Sequence, residues 1–174
     1  MFELCPKNLE TARLVIRLTT KQDLPEIHSM HRIEAVNQYL PYTTWKSYQD
    51  AQDWYQRVES RRNKKEAEQY SVSLQNDSRL IGSCIVFGFD ASQASVEVGY
   101  VLHPDFWGQG YMLEAMQAFI GALQERLNLR QLKASVEEPN VASSKLLKKL
   151  GFSHSNTSVE ESGVVLHHWA KILA

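Results

Sequence analysis

The stretch Val96–Ala115, VEVGYVLHPDFWGQGYMLEA, decides the fold. Val96, Val98, Tyr100 and Leu102 alternate with Glu97, Gly99 and Val101, the period of two that marks a half-buried strand. His103-Pro104-Asp105 ends the strand, because proline has no N–H for a ladder and drives its predecessor toward an extended conformation. Trp107-Gly108-Gln109-Gly110-Tyr111 then turns tightly. From Tyr111 onward Met112, Ala115, Met116, Phe119, Ile120 and Leu123 recur at helical spacing. A strand, a two-glycine turn and a helix start make a place for an anion: glycine lets the backbone come close, and the first helical N–H groups lack partners. The same two glycines are also what a plain strand-to-helix turn uses.

The loop does not match the common phosphate motifs. It has no Gly-Lys-Ser/Thr, so it is not a Walker loop, and Leu113 stands where the dinucleotide fingerprint needs its third glycine. Nor does composition point to a polyanion partner. The net charge of −1 lacks the basic surplus of a nucleic-acid binder. No run of about 18 apolar residues exists to span a membrane. Met1-Phe-Glu-Leu-Cys-Pro lacks the basic start and long apolar run of a leader. Cys5 and Cys84 are far apart with no Cys-x-x-Cys, so they are expected to be reduced thiols in a cytoplasmic protein. His28 with His31, and His167 with His168, find no Cys or carboxylate cluster to complete a metal site. No metal is expected.

Outward from that stretch, 174 residues fit a single domain spanning 1–174, since roughly 150 residues per domain is usual. Upstream, Arg13 to Leu18 reads as a strand. Thr20-x-x-Asp23 resembles a capping box that opens a helix carrying Leu24, Ile27, Met30 and Ile33. Tyr39 to Trp45 is an aromatic loop, and Ser47-x-x-Asp50 caps a second helix with Ala51, Trp54, Tyr55 and Val58 on one face. Arg61-Arg62-Asn63-Lys64-Lys65 reads either as a phosphate patch or as a solvated helix end favoured by the dipole. Strands at Tyr70–Leu74 and Leu80–Phe89 flank a turn at Asn76–Arg79. Downstream come a strand at Gln131–Val136, a short helix from Pro139-Asn140 capped by Gly151, and a final hairpin turning at Glu160–Gly163. The expected order β-α-α-β-β-β-α-β-α-β-β gives an α/β fold: a mixed, mostly antiparallel twisted sheet flanked by helices.

Two blocks carry a resemblance. Trp107-Gly108-Gln109-Gly110-Tyr111-Met112 is similar to the Gln/Arg-x-x-Gly-x-Gly/Ala loop of the GNAT acyltransferases, with Trp107 and Met112 departing from it. Asn140-x-x-Ser143, followed by Gly151-Phe152, is similar to the same family's Asn-x-x-Ala/Ser…Gly-Phe. The blocks are closest to the branch of ribosomal-protein N-terminal acetyltransferases, and the resemblance covers nearly the whole chain. It implies an acetyl-CoA-dependent N-acetyltransferase acting by direct attack of an amine on the thioester. It further implies that Val101, Leu102 and His103 offer backbone groups to the pantetheine arm where the strand splays from its neighbour. Gly108, Gln109, Gly110, Tyr111 and Met112 would cradle the pyrophosphate, and Asn140 and Ser143 would contact the coenzyme. Glu97 becomes the candidate base, since amines arrive protonated; a solvent-facing strand carboxylate is its other reading. Ser143 is the candidate partner of the leaving sulfur, or simply a helix cap. Many relatives have a tyrosine seven residues after the asparagine, where this chain has Leu147. That departure leaves open a non-catalytic acyl-CoA-binding or regulatory module.

Acceptor choice is expected from Tyr39, Tyr42 and Trp45 and from the hairpin at Glu160–Gly163. Aromatics in such a loop also often just cover the core. A protein N-terminus, a polyamine or amino acid, and an aminoglycoside all remain candidates, and a homodimer is an open assembly.

Overall fold

The computed structural model describes residues 5–173; the reading of residues 1–4 as carrying no leader lies outside them. In chain order the elements are β1 (Asn8–Glu10), β2 (Leu14–Leu18), α1 (Leu24–His31), α2 (Glu34–Asn37), α3 (Tyr48–Asn63), β3 (Ala67–Leu74), β4 (Leu80–Asp90), β5 (Ser95–Leu102), α4 (Tyr111–Arg126), β6 (Gln131–Glu137), α5 (Val141–Lys149), β7 (Ser153–Val159) and β8 (Val165–Ile172). Single 3-10 turns at Lys21–Asp23 and Pro104–Phe106 lead into α1 and the glycine loop. The strands form one sheet in the order β1-β2-β3-β4-β5-β6-β8-β7. Every pairing is antiparallel except β5 with β6. This is the mixed, mostly antiparallel α/β architecture that the alternation of strand and helix patterns predicts.

Helices cover both faces. On one, Val96 and Val98 of β5 meet Met112, Ala115, Met116, Phe119, Ile120 and Leu123 of α4 in the larger core. Tyr70 and Phe119 pack edge-to-face there, 4.8 Å between ring centres. On the other, α1 and α3 enclose Leu24, Ile27, Trp45, Ala51, Trp54 and Val58. Both capping boxes form: Asp23 accepts the Thr20 N–H at 2.8 Å, and Asp50 accepts the Ser47 N–H at 2.8 Å.

The structure adds β1 and the one-turn helix α2 to the expected order and moves the boundaries of α1 and β3. The short strand β1 precedes β2 at the sheet edge, where three residues carry too little alternation to read. Helix α1 stops at His31, not Ile33, and the Asn37 side-chain amide holds the corner, donating to His31 O at 2.7 Å and to Ile33 O, at the start of α2, at 2.9 Å. Strand β3 starts at Ala67 rather than Tyr70. Glu68 and Gln69 are polar yet buried there, Glu68 held by Arg62 at 2.8 Å.

The feature that positions the site is the failure of β5 and β6 to stay together. They pair only at Ser95↔Gln131, Val96↔Leu132 and Glu97↔Lys133. Beyond Glu97 the two strands part, while β5 stays bonded to β4 as far as Gly82↔Leu102.

Candidate functional site

A cavity of about 1240 Å³ fills this opening. Its walls come from both faces of the sheet: Tyr100, Leu102, the glycine loop and α5 on one side, and α3 with the floor of β3 and β4 on the other.

The glycine loop is built as its sequence requires. Gly108 and Gly110 have φ of +72° and +79°, in the left-handed region that costs an L-residue about 1–2 kcal/mol. Gly110 is the N-cap of α4, and its carbonyl receives the Glu114 N–H at 3.0 Å. That leaves the N–H groups of Tyr111, Met112 and Leu113 without helical partners, in the wall of the cavity. Gln109 faces away: its amide donates to Asp105 O at 2.7 Å, and its carbonyl accepts from Arg13. Arg13 lies over the Tyr111 ring at 4.2 Å and pairs with Glu114 at 2.6 Å, bracing the loop from behind.

The three strand-end residues divide by the alternation of an antiparallel ladder. His103 N–H donates to Ile81 O at 2.8 Å, so the backbone groups of His103 and Val101 turn toward β4. Those of Leu102 and Tyr100 turn toward the opening. Leu102 O accepts the Trp107 indole N–H at 2.7 Å. Val101 still contributes its side chain to the wall, whereas His103 is not among the lining residues.

Across the opening, Asn140 caps α5 by accepting the Ser143 N–H at 3.1 Å. Tyr100 Oη lies 2.7 Å from Ser143 Oγ. Burial pushes the Tyr100 phenol up to about 12 against a smaller downward pull from Ser143, so it is a neutral donor at physiological pH. Sequence reading assigned Tyr100 to the core by its alternation with Val96 and Val98; that a phenol is long enough to leave that core and reach α5 has no local signal. Leu147, at the family's usual tyrosine position, is fully buried.

On the α3 side Tyr39 and Tyr42 line the cavity, and Tyr39 Oη donates to Pro139 O at 3.4 Å, joining the aromatic loop to the start of α5. Burial raises the Tyr42 phenol as well, with nearby Arg57 opposing. Trp45 corrects the expectation: it is 6% exposed, packed 4.5 Å from the His31 ring and 6.0 Å from Trp54 between α1 and α3, so it cannot touch an acceptor. Glu97 lies across from Phe87 and Lys133 and is not among the lining residues; the carboxylates that line the cavity are Glu137 and Glu160. Four cations stand in the wall: Arg61, from the run that reads either as a phosphate patch or as a solvated helix end, and Arg57, Lys145 and Lys149, which sit on polar helix faces that carry no such signal. The basic run is split: Arg61 faces the cavity, while Arg62 is spent on Glu68 and Thr19 O.

The family model for the acetyltransferase (GNAT) domain matches residues 13–153. The uncharacterized N-acetyltransferase p20 of Bacillus licheniformis is 29% identical over 146 residues, covering 84% of this chain and 82% of that protein. Among solved structures, the Salmonella typhimurium acetyltransferase that modifies the N-terminal serine of ribosomal protein L7/L12 superposes with a TM-score of 0.83 at 18% identity, covering 94% of this chain and 97% of its own. The spermidine N-acetyltransferase of Vibrio cholerae, solved with CoA and spermine, gives 0.80 at 17% identity, covering 93% and 96%. At these identities the two structures establish the shared fold and nothing finer.

Proposed function

The chain belongs to the GNAT acetyltransferase family, and from that premise we propose that it moves an acetyl group from acetyl-CoA to a primary amine, a protein N-terminus or a small molecule, with both substrates bound at once. One observation carries the reading: a single cavity runs through the opening between β5 and β6, joining the glycine loop on one face to a chamber under α3 on the other. A thioester held on the first face and an amine on the second meet without either having to leave.

The residues fit the coenzyme. The N–H groups of Gly108, Gly110, Tyr111 and Met112 suit the pyrophosphate, as unpartnered backbone donors at a helix start do. The Leu102 N–H and the two Tyr100 backbone groups, released from β6, suit the amides of the pantetheine arm. Lys145 and Lys149, one turn apart on α5, suit the remaining phosphate charge. Asn140 holds the start of α5, and with it Ser143, at the edge of the arm.

Free amines are mostly protonated at neutral pH, so the ammonium first gives one proton to a carboxylate, directly or through water. The neutral nitrogen then attacks the thioester carbonyl carbon; the C–N bond forms, the C–S bond breaks, the sulfur departs as thiolate, and the second proton of the nitrogen passes to water or to that thiolate. Glu137 is the better candidate for the carboxylate. It ends β6, lines the cavity and accepts the Asn140 N–H through its own carbonyl at 2.9 Å, so its side chain starts one short turn before Asn140, the cap of α5. Glu97 has the right chemistry without the access. The coupled hydroxyls of Tyr100 and Ser143 donate to the departing sulfur, the role a single tyrosine on α5 would otherwise fill.

Free-thiol release from acetyl-CoA with a panel of amines and N-terminal peptides tests this. Glu137→Gln should lower kcat about 10²-fold or more, the scale of general-base loss, and Glu97→Gln should leave it within a few-fold. The reverse order would return the proton-transfer role to Glu97. Absence of release with every acceptor would remove the transferase assignment.

A further inference from the structure

The chamber under α3 has a charge pattern that nothing above uses. Arg57 and Arg61 stand four residues apart on α3, so they project from the same face, and both line the cavity. Neither forms an ion pair among the described residues, whereas Arg13, Arg17 and Arg62 each hold a carboxylate within 2.8 Å. Arg61 is held over the ring of Phe87, 5.5 Å from its centre, and the charge of Arg57 reaches the Tyr42 hydroxyl. Beneath them the floor is neutral: Ala67, Gln69, Ser83, Ile85 and Phe87. Two like charges at i and i+4 repel by a few tenths of a kcal/mol in an isolated helix, so this chain keeps an unfavourable pair aimed into a cavity.

We propose that Arg57 and Arg61 select the acceptor: an amine that carries a carboxylate or phosphate a short distance from its nitrogen. The inference rests on the acetyl-transfer reading of the same cavity. Arg61 lies over β4, and β4 is the immediate neighbour of β5, where the opening begins (Ile85↔Gly99, Phe87↔Glu97). The guanidinium pair therefore stands beside the opening, on the α3 face of the sheet. With its amine at the opening, an acceptor bearing an anion on that face satisfies both guanidinium groups, which suit planar oxyanions. A polyamine would set its second ammonium against them. Peptide N-termini with an acidic residue in the second or third position, and small amino-carboxylates, both meet the requirement.

The test compares acceptors matched in length. One arm uses 6-aminohexanoate, hexylamine and 1,6-diaminohexane; the other uses N-terminal peptides differing only in Glu, Gln or Lys at positions two and three. In the native chain kcat/KM should rank anionic above neutral above cationic, with about ten-fold between the extremes, the scale of one charge-assisted contact. The arm with the higher kcat/KM identifies the source. Arg57→Glu with Arg61→Glu should invert the order, and the milder Arg57→Gln with Arg61→Gln should flatten it; thermal melts of each variant check folding. Equal or better use of the cationic acceptors by the native chain, or an unchanged order in folded variants, overturns the selection. Loss of thiol release with every acceptor instead sinks the transferase reading, and calorimetric binding of the same panel still decides the charge preference.

Discussion

Tyr100 and Ser143 are joined by one hydrogen bond between β5 and α5, with their oxygens 2.7 Å apart. Removing either hydroxyl should therefore cost nearly what removing both costs. Tyr100→Phe and Ser143→Ala are each expected to lower kcat about ten-fold with the KM for acetyl-CoA little changed, and the double variant to fall well short of the product, as groups in one hydrogen-bond network do. Full additivity in the cycle would mean that the two act separately. Gly110 poses a different question, because its φ of +79° matters and not the space around it: a Cβ there would meet nothing nearer than Arg13 Nη2 at 3.6 Å. Gly110→Ala should weaken acetyl-CoA binding more than the bulkier Gly110→Asn, since asparagine tolerates the left-handed region better than alanine. Calorimetry on the three chains gives the order; a ranking by side-chain volume, with alanine the milder change, would make contact rather than backbone conformation the cause.

Helix α5 is short, and its start is held by the Asn140 side chain on the Ser143 N–H. Asn140→Ala should lower stability by about 1 kcal/mol, or about 2–4 °C in Tm at this chain length, and Asn140→Ser should recover most of it. If Asn140→Ser restores Tm but not coenzyme affinity, the amide touches the coenzyme as well as the helix. At this scale the sequence was legible wherever local chemistry acts alone. The capping boxes at Thr20 and Ser47, the alternation of β5 and the glycine start of α4 all depend on residues within four positions of one another. The rest depends on residues far apart. Nothing near Ser95–Glu97 says that β5 and β6 part after three residues, because parting is a property of two strands and the helices against them. Trp45 looked like groove lining because aromatics in a loop carry no sign of which core they fill. Tyr100 looked like core for the opposite reason: alternation gives the face, not how far a long side chain reaches. Arg57 and Arg61 lie on the polar face of α3, and a polar face reads the same whether it meets solvent or a cavity.

Across the molecule, the join between the sheet and the α1–α3 layer depends on one buried carboxylate. Asp23 accepts from Arg17 Nη2 at 2.6 Å and Nη1 at 2.8 Å, from the Thr20 N–H at 2.8 Å and from Ser71 Oγ at 3.0 Å, linking β2, the turn before α1 and β3. Burial alone would push its carboxyl up, but the Arg17 guanidinium, the Thr20 N–H and Ser71 together outweigh that and hold it below the ordinary aspartate range. Because the folded pKa is the lower one, the folded state binds fewer protons than the unfolded state as pH falls. The stabilisation is complete above the unfolded value of about 3.9 and drains away below it, through the folded pKa. Glu114 adds in the same direction: partial burial is outweighed by its bonds from Thr11 and Arg13, which tie the segment ahead of β2 to α4. Buried His31, whose imidazole desolvation holds below the usual histidine value, starts the loss first, so the urea midpoint should fall gently below about pH 6.5 and steeply below about 4. Asp23→Asn should be less stable at neutral pH, because Arg17 loses its partner, and should show a shallower acid limb. An acid limb of unchanged steepness in that variant would assign acid sensitivity to other carboxylates and leave Asp23 a neutral-pH tether only.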